Sequence, residues 1–286
     1  MPDIPEPLTE LARAKINLWL HVTGRRPDGY HELSSLVAFA SVGDCLSVHP
    51  SRSFSLTATG RFAADLGVPS DNLILRAAQA LADMEGIREG AAFKLIKNLP
   101  VSSGIGGGSA DAAAALRLCR TLWSLRTSAN AMRAVALQVG ADVPVCLSSQ
   151  TVHMTGIGEH LETLRLPPTA TPALLANPGV PISTSAVFRE LDGKYSLSAE
   201  MSTGADLITL VADNRNDLEG PARRLAPAIE AVLDAIAGTS GCHLARMSGS
   251  GATCFGLFAS DTDAEQAADG IAMAYPDWWV APCRIG

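Results

Sequence analysis

From Arg13 to Val22 apolar and polar positions alternate without a break. Ala14, Ile16, Leu18, Leu20 and Val22 fall on one side, and Arg13, Lys15, Asn17, Trp19 and His21 on the other. A period of two predicts a strand with one buried face, and it sets Lys15 and Asn17 together on the exposed one. Gly24-Arg-Arg-Pro-Asp-Gly29 then reads as a turn, and Tyr30-His-Glu32 leads into an apolar stretch through Val37, Phe39 and Val42. Further strands are expected at Cys45–His49, Phe54–Ala58, Phe93–Ile96, Thr151–Thr155 and Leu174–Ala176. Helical spacing takes over at Asn72–Ala82, with Leu73, Leu75, Ala77, Ala78 and Leu81 as the apolar positions. Ser128 is placed to cap a helix that Gly140 stops after Val139, and Leu225–Ala237 forms an amphipathic helix closed by Gly238. The mixture predicts an α+β fold. Pro167, Pro168 and Pro172 suggest a surface connection, which divides the chain into domains at 1–165 and 166–286.

The densest chemical signal is Pro100-Val-Ser-Ser-Gly-Ile-Gly-Gly-Gly-Ser-Ala110, running into the alanine-rich stretch Ala112–Ala115. Gly104, Gly106, Gly107 and Gly108 let a second molecule approach the main chain, and Ser109 is expected to cap the helix that follows. A helix start exposes unpaired N–H groups and a partial positive charge, so the expected ligand is an anion, foremost a phosphate. No lysine closes the loop as a Walker A sequence requires, and Ser109 stands where the dinucleotide fingerprint needs its third glycine. His-Arg-Asp and Asp-Phe-Gly are both missing, which excludes a protein kinase. A flexible turn before a helix would show the same glycines.

Composition narrows the field. The chain has 286 residues, 47% of them hydrophobic, and a formal net charge of −7. That is ample for a substantial core, and the charge argues against broad nucleic-acid binding. The six cysteines form no Cys-x-x-Cys pair, so neither a zinc site nor a disulfide framework is indicated. Met1-Pro-Asp-Ile-Pro-Glu-Pro lacks the features of a signal peptide, and no uncharged apolar run is long enough to span a bilayer. A reducing, cytoplasmic setting is the simplest expectation, with no membrane partner.

Asp142, in Gly140-Ala-Asp-Val-Pro144, reads either as a helix cap or as a catalytic carboxylate. Lys15 on its strand reads either as a solvated surface group or as a cation held for chemistry, with Asn17 beside it. Ser248-Gly-Ser-Gly-Ala-Thr253 is a second segment able to aim backbone N–H groups at phosphates, or an ordinary linker. Tyr30, His31 and Phe188 are possible ligand contacts; packing would account for them equally well.

Taken in order, Ala14-Lys-Ile-Asn-Leu, the Pro100–Ala113 loop, Gly140-Ala-Asp-Val-Pro144 and Met247-Ser-Gly-Ser-Gly-Ala-Thr253 resemble the motifs of the GHMP kinases, small-molecule kinases that include galactokinase, homoserine kinase and mevalonate kinase. Gly24-Arg-Arg-Pro-Asp-Gly-Tyr-His-Glu32 and Asn216-Asp-Leu-Glu219 narrow the resemblance to a member acting on a cytidine diphosphate ester of methylerythritol, in the non-mevalonate route to isoprenoid precursors. The resemblance implies a two-domain fold with the active site in the interdomain cleft. It further implies ATP with Mg²⁺, whose protein ligands it leaves open. By the same resemblance Pro100, Val101, Ser102, Ser103, Gly104, Ile105, Gly106, Gly107, Gly108, Ser109 and Ala110 wrap the ATP phosphates, with Ser109 helping to place Mg²⁺. Lys15 and Asp142 form the catalytic pair, and Asn17, Tyr30, His31 and Phe188 contact the substrate. Two departures stand out: the loop begins Pro100-Val-Ser-Ser-Gly, and Asp111 stands where asparagine is frequent. A carboxylate there would repel phosphate if it faced the ligand, so Asp111 is expected to point away. Alternatives are another small-molecule kinase of the superfamily, a catalytically silent nucleotide-binding module, and, weakened by the glycine spacing, an NAD-dependent oxidoreductase.

Overall fold

In a computed structural model the structure describes residues 6–68, 71–164, 170–191, 193, 195–199 and 207–286. The terminal Met1–Pro5 segment and Pro167–Pro168 lie outside them. The strands are β1 (Leu8–Arg25), β2 (His31–Ser51), β3 (Ser55–Thr59), β4 (Gly90–Ile96), β5 (Val152–Gly156), β6 (His160–Thr163), β7 (Thr171–Asn177), β8 (Cys242–Met247), β9 (Cys254–Phe258) and β10 (Trp279–Ile285). The helices are α1 (Leu73–Glu85), α2 (Gly107–Leu122), α3 (Ala129–Val139), α4 (Val143–Ser148), α5 (Thr184–Arg189), α6 (Leu207–Ala212), α7 (Glu219–Leu225), α8 (Ala228–Ala237) and α9 (Asp261–Ala274). Among the described residues no helix is long and apolar enough to cross a membrane.

Two compact units emerge, each drawn from separate stretches of chain. Of the described residues, the first takes in those within 1–14, 43–101 and 106–149, and the second those within 15–42, 102–105 and 150–286.

In the first unit the trailing part of β2 pairs antiparallel with β4, Cys45 opposite Ile96 and Ser51 opposite Gly90, and β3 runs parallel to β4. Helices α1 and α2 pack together, and the small side chains of Ala77 and Ala78 on one and Ala112 to Ala115 on the other are fully buried. Asn72 caps α1 by accepting from the Ile74 N–H at 2.9 Å. Its inward face is Ile74, Ala77, Ala78, Leu81 and Ala82; Leu73 and Leu75, expected inside, are only half-buried. Ile74, one position on, falls on the stripe with Ala77, Ala78 and Leu81 at helical spacing. Helix α3 runs between the predicted ends, with Ser128 accepting from the Ala131 N–H.

The second unit holds two strand groups. The leading part of β2 pairs antiparallel with β5, which pairs with β6. The order β10-β7-β9-β8 is antiparallel throughout, and Ile285 lies opposite Ala40 to join β10 to β2. Pro172, expected in a connection, is instead paired within β7 opposite Arg284. A core of Leu20, Val22, Leu174, Leu218, Ile229, Val232, Ile236, Met247, Phe258 and Ile271 sits beneath this sheet. Each such side chain, fully buried, contributes about 1.5–3 kcal/mol. The helix expected over Leu225–Ala237 is α8, which ends as expected at Ala237 before Gly238 but starts three residues later, at Ala228 after Pro227, because Leu225 closes the preceding α7 and Pro227 has no N–H to continue that ladder.

Candidate active site

Strand β1 is buried on both faces from Ala14 to Val22, which corrects the expectation of a solvent-facing side. Lys15 is 5% exposed and Asn17 1%. The cover comes from distant chain within the second unit. The Lys15 N–H donates to the Ile105 carbonyl at 2.9 Å, and the Asn17 N–H donates to Ser248 Oγ at 3.1 Å. Asn17 Nδ2 donates to Ser35 Oγ at 2.8 Å, and Ser35 Oγ donates in turn to the Trp19 carbonyl. Asn17 Oδ1 is buried with no hydrogen-bond partner. The alternating pattern therefore set Lys15 and Asn17 on one side correctly, while the loops that cover that side lie far away in sequence.

Those loops are the two glycine segments, which fit against each other. Ser248 Oγ donates to the Gly104 carbonyl at 3.2 Å, and the Thr253 N–H donates to the Ser103 carbonyl at 3.1 Å. Gly104 has φ +79, and a Cβ there would stand 2.6 Å from the Ser248 carbonyl oxygen and 2.7 Å from that of Gly251. Only glycine meets both the angle and the space. Asn216 fixes the second loop by donating from Nδ2 to the Met247 and Gly249 carbonyls, each at 2.8 Å. Thr184 Oγ1 lies 2.8 Å from Ser250 Oγ. Neither Ser35 nor Thr184 carried a sequence signal; each matters only because of what the fold sets beside it.

In the first unit the glycine loop continues into α2. The helix begins at Gly107 after Gly106 in the left-handed region, and no side chain caps it. Ser109 is thus the third helical residue and not its cap: the chain turns at Gly106, whose φ of +62 suits glycine. Ala110 makes the first intrahelical bond, to the Gly106 carbonyl at 2.8 Å, which leaves the N–H groups of Gly107, Gly108 and Ser109 ahead of the ladder. Val101, Ser102 and Gly108 are exposed, whereas Pro100, Ser103, Ile105 and Ala110 are buried and serve as footings.

Beneath the helix start lies a buried charge cluster that sequence reading missed. Lys97 Nζ donates to Asp44 Oδ2 at 2.5 Å and to Asp111 Oδ2 at 2.8 Å. Asp44 Oδ1 accepts the N–H groups of Asn98 and Leu99, the residues leading into the loop. Asp111 thus turns inward to Lys97. The clues in the chain were Asp111, expected to point away from a ligand, and Asp44, an acid inside an apolar strand.

Asp142 occupies the N-cap position of α4, with Pro144 in the first turn, but its carboxylate does not cap the helix. It is half-buried. In the second unit His31, at the start of β2, stacks on Phe188 of α5 with ring centroids 4.8 Å apart and planes 23° from parallel. Ser183 holds α5 by accepting from the Ala186 N–H. Burial, and then the charge of Arg25, lower the His31 pKa below its ordinary value, so the ring is neutral at pH 7. Tyr30 beside it is 62% exposed, available for a ligand face.

Among the described residues no cluster of His, Cys, Asp or Glu is built to hold a metal. Within the first unit the start of α2 offers backbone N–H groups, and within the second the paired glycine loops offer hydroxyls, donors suited to phosphate esters.

Comparison with known proteins agrees with this chemistry. Residues 72–150 match the GHMP kinases N terminal domain and residues 199–277 the GHMP kinases C terminal domain. A 4-diphosphocytidyl-2-C-methyl-D-erythritol kinase of Cereibacter sphaeroides is 50% identical over 96% of this chain and 98% of its own. One of Paramagnetospirillum magneticum is 48% identical over 96% and 97%. The crystal structure of a 4-(cytidine 5'-diphospho)-2C-methyl-D-erythritol kinase superposes with a TM-score of 0.80 at 34% identity, covering 98% of this chain and 99% of the other. A homoserine kinase from Cytophaga hutchinsonii shares the fold, with a TM-score of 0.66 at 16% identity over 99% of this chain and 97% of its own.

Proposed function

This chain belongs to the 4-diphosphocytidyl-2-C-methyl-D-erythritol kinase family of the GHMP kinases, and from that we propose how its residues divide the work. ATP donates its γ-phosphoryl group to the 2-hydroxyl of 4-diphosphocytidyl-2-C-methyl-D-erythritol, yielding ADP and the 2-phosphate, a step toward isoprenoid precursors. The hydroxyl oxygen forms the new bond to the γ-phosphorus while the bond from that phosphorus to the β–γ bridging oxygen breaks. The hydroxyl proton passes to the Asp142 carboxylate.

The observation that carries this reading is the bond from the Lys15 N–H to the Ile105 carbonyl. It fastens the strand bearing Lys15 and Asn17 to the loop that receives phosphates. Residues 100–110 wrap the ATP phosphates, with the N–H groups ahead of α2 turned to the anion. Lys15 steadies the transferring group and Asp142 orients the attacking hydroxyl. His31 recognises the cytosine edge, Tyr30 and Phe188 give it aromatic faces, and Asn17 meets the polar end of the substrate.

Mg²⁺ accompanying ATP would need few protein ligands, which suits a chain with no metal cluster among its described residues. Ser109, half-buried in the first turn of α2, is the hydroxyl placed to assist it. Bound there, the ion would supply charge neutralisation to the phosphates. The reaction takes place in the cytoplasm, a setting in keeping with six free cysteines.

The position of the new phosphate tests this. Product formed from 2-¹³C-labelled substrate should show phosphorus coupling at the labelled carbon. A phosphate on any other hydroxyl would overturn the assignment.

A further inference from the structure

Helix α4, which follows Asp142 directly, has only six residues. So short a segment does not hold itself in place, and its orientation depends on what packs against it and what binds its ends. Val143, Pro144, Val145 and Cys146 are buried along it. At its far end stands Arg117, ten residues into α2. Arg117 Nη1 donates to the carbonyls of Cys146 at 2.8 Å and Leu147 at 2.9 Å, the groups a helix end leaves unpaired. Its positive charge also meets the negative end of the helix dipole. The other side of the same guanidinium is fixed: Nε donates to Glu10 Oε1 at 2.6 Å, and Nη2 pairs with the same carboxylate. Glu10 lies on β1, five residues before Lys15. Ser148 and Ser149 complete the end by donating to the Val145 and Cys146 carbonyls.

One planar group therefore binds three elements: the helix that begins at the glycine loop, the strand that carries Lys15, and the helix that Asp142 opens. We infer that Arg117 is a positioning residue for phosphoryl transfer, acting through α4 to hold the Asp142 carboxylate where the attacking hydroxyl needs it. The inference rests on the role given to Asp142 above. Arginine is suited to this work because its rigid fork serves two carbonyls and a carboxylate at once, whereas lysine offers a single point charge. A six-residue helix is about 9 Å long, so a tilt at its carboxyl end moves its first residue.

The test is kinetic, on the full chain, with thermal melts to confirm folding. Arg117→Met should lower kcat roughly 10- to 100-fold while KM for ATP stays within about twofold, the mark of lost alignment. Arg117→Lys should recover part of that loss. The deciding arm repeats Arg117→Met in an Asp142→Asn background, where it should cost less than about twofold more, because its effect passes through the missing carboxylate. A full, multiplicative loss in both backgrounds, or a near-normal kcat in the single variant, overturns the inference. If Asp142→Asn alone retains normal turnover, it is the role of Asp142 that fails. Should Arg117→Met not fold, Glu10→Gln replaces it in both arms: a smaller kcat loss that vanishes with Asp142→Asn supports the inference, and an unchanged kcat refutes it.

Discussion

The Lys97 ammonium donates to the Asp111 carboxylate at 2.8 Å with both side chains almost wholly removed from water. Because Lys97 also binds Asp44, which holds the Asn98 and Leu99 N–H groups, the pair joins the two stems of the glycine loop. Residue 111 is in the first turns of α2, and its carboxylate is directed to Lys97 within the first unit.

That burial has a consequence for stability. Desolvation, opposed by Lys97 and reinforced by Asp44, raises the Asp111 pKa from 3.8 to about 7. A carboxyl that holds its proton more tightly when folded takes one up on folding between the two values, so stability falls as pH rises through that window. Asp111→Asn removes this term. Urea unfolding from about pH 4 to about pH 8 should show the variant gaining on the wild type as pH rises. A difference between the two that does not change with pH would contradict the assignment.

Asp142→Asn should fold normally and bind ATP by calorimetry as the wild type does. Turnover should drop by roughly 10²–10⁴, the range for loss of a positioned base. Near-normal turnover would remove Asp142 from the chemistry.

His31→Ala should raise KM for the cytidine substrate about tenfold, or about 1.4 kcal/mol, and leave KM for ATP nearly unchanged. The stacked Phe188 ring loses its partner in the same variant, so Phe188→Ala should weaken the same substrate. Equal effects on both substrates would place the aromatic pair elsewhere.

Gly104→Ala tests the seam between the two glycine loops. Its Cβ would meet two backbone oxygens at 2.6 and 2.7 Å, which no side-chain rotation relieves. ATP binding should weaken by more than about tenfold, with a fall in melting temperature. Unchanged affinity would mean the loops are free to part without cost.

Local signals proved readable where local physics decides. The alternation from Arg13 to Val22 marked β1, Ser128 and Gly140 bounded α3, and the glycine run with its alanines marked a loop feeding α2. What escaped depends on distant partners. Asn17 is buried because Ser248, 231 residues away, covers it, and no window along the strand contains that fact. Asp44 and Lys97 carried no reading in the sequence, since their meeting is made only by strand pairing and the packing of α2. Ser109 was misjudged as a cap because a left-handed glycine can start a helix without one. The helix expected from Leu225 starts only at Ala228, because Pro227 can open a helix but not continue one.

ADP release from ATP, measured with purified protein, Mg²⁺ and 4-diphosphocytidyl-2-C-methyl-D-erythritol beside mevalonate, homoserine and a no-acceptor control, tests the central claim most directly. ADP should appear only with the cytidine compound, in step with a product heavier by one phosphoryl group. Folded protein that binds ATP but releases no more ADP with that compound than without it would contradict the account.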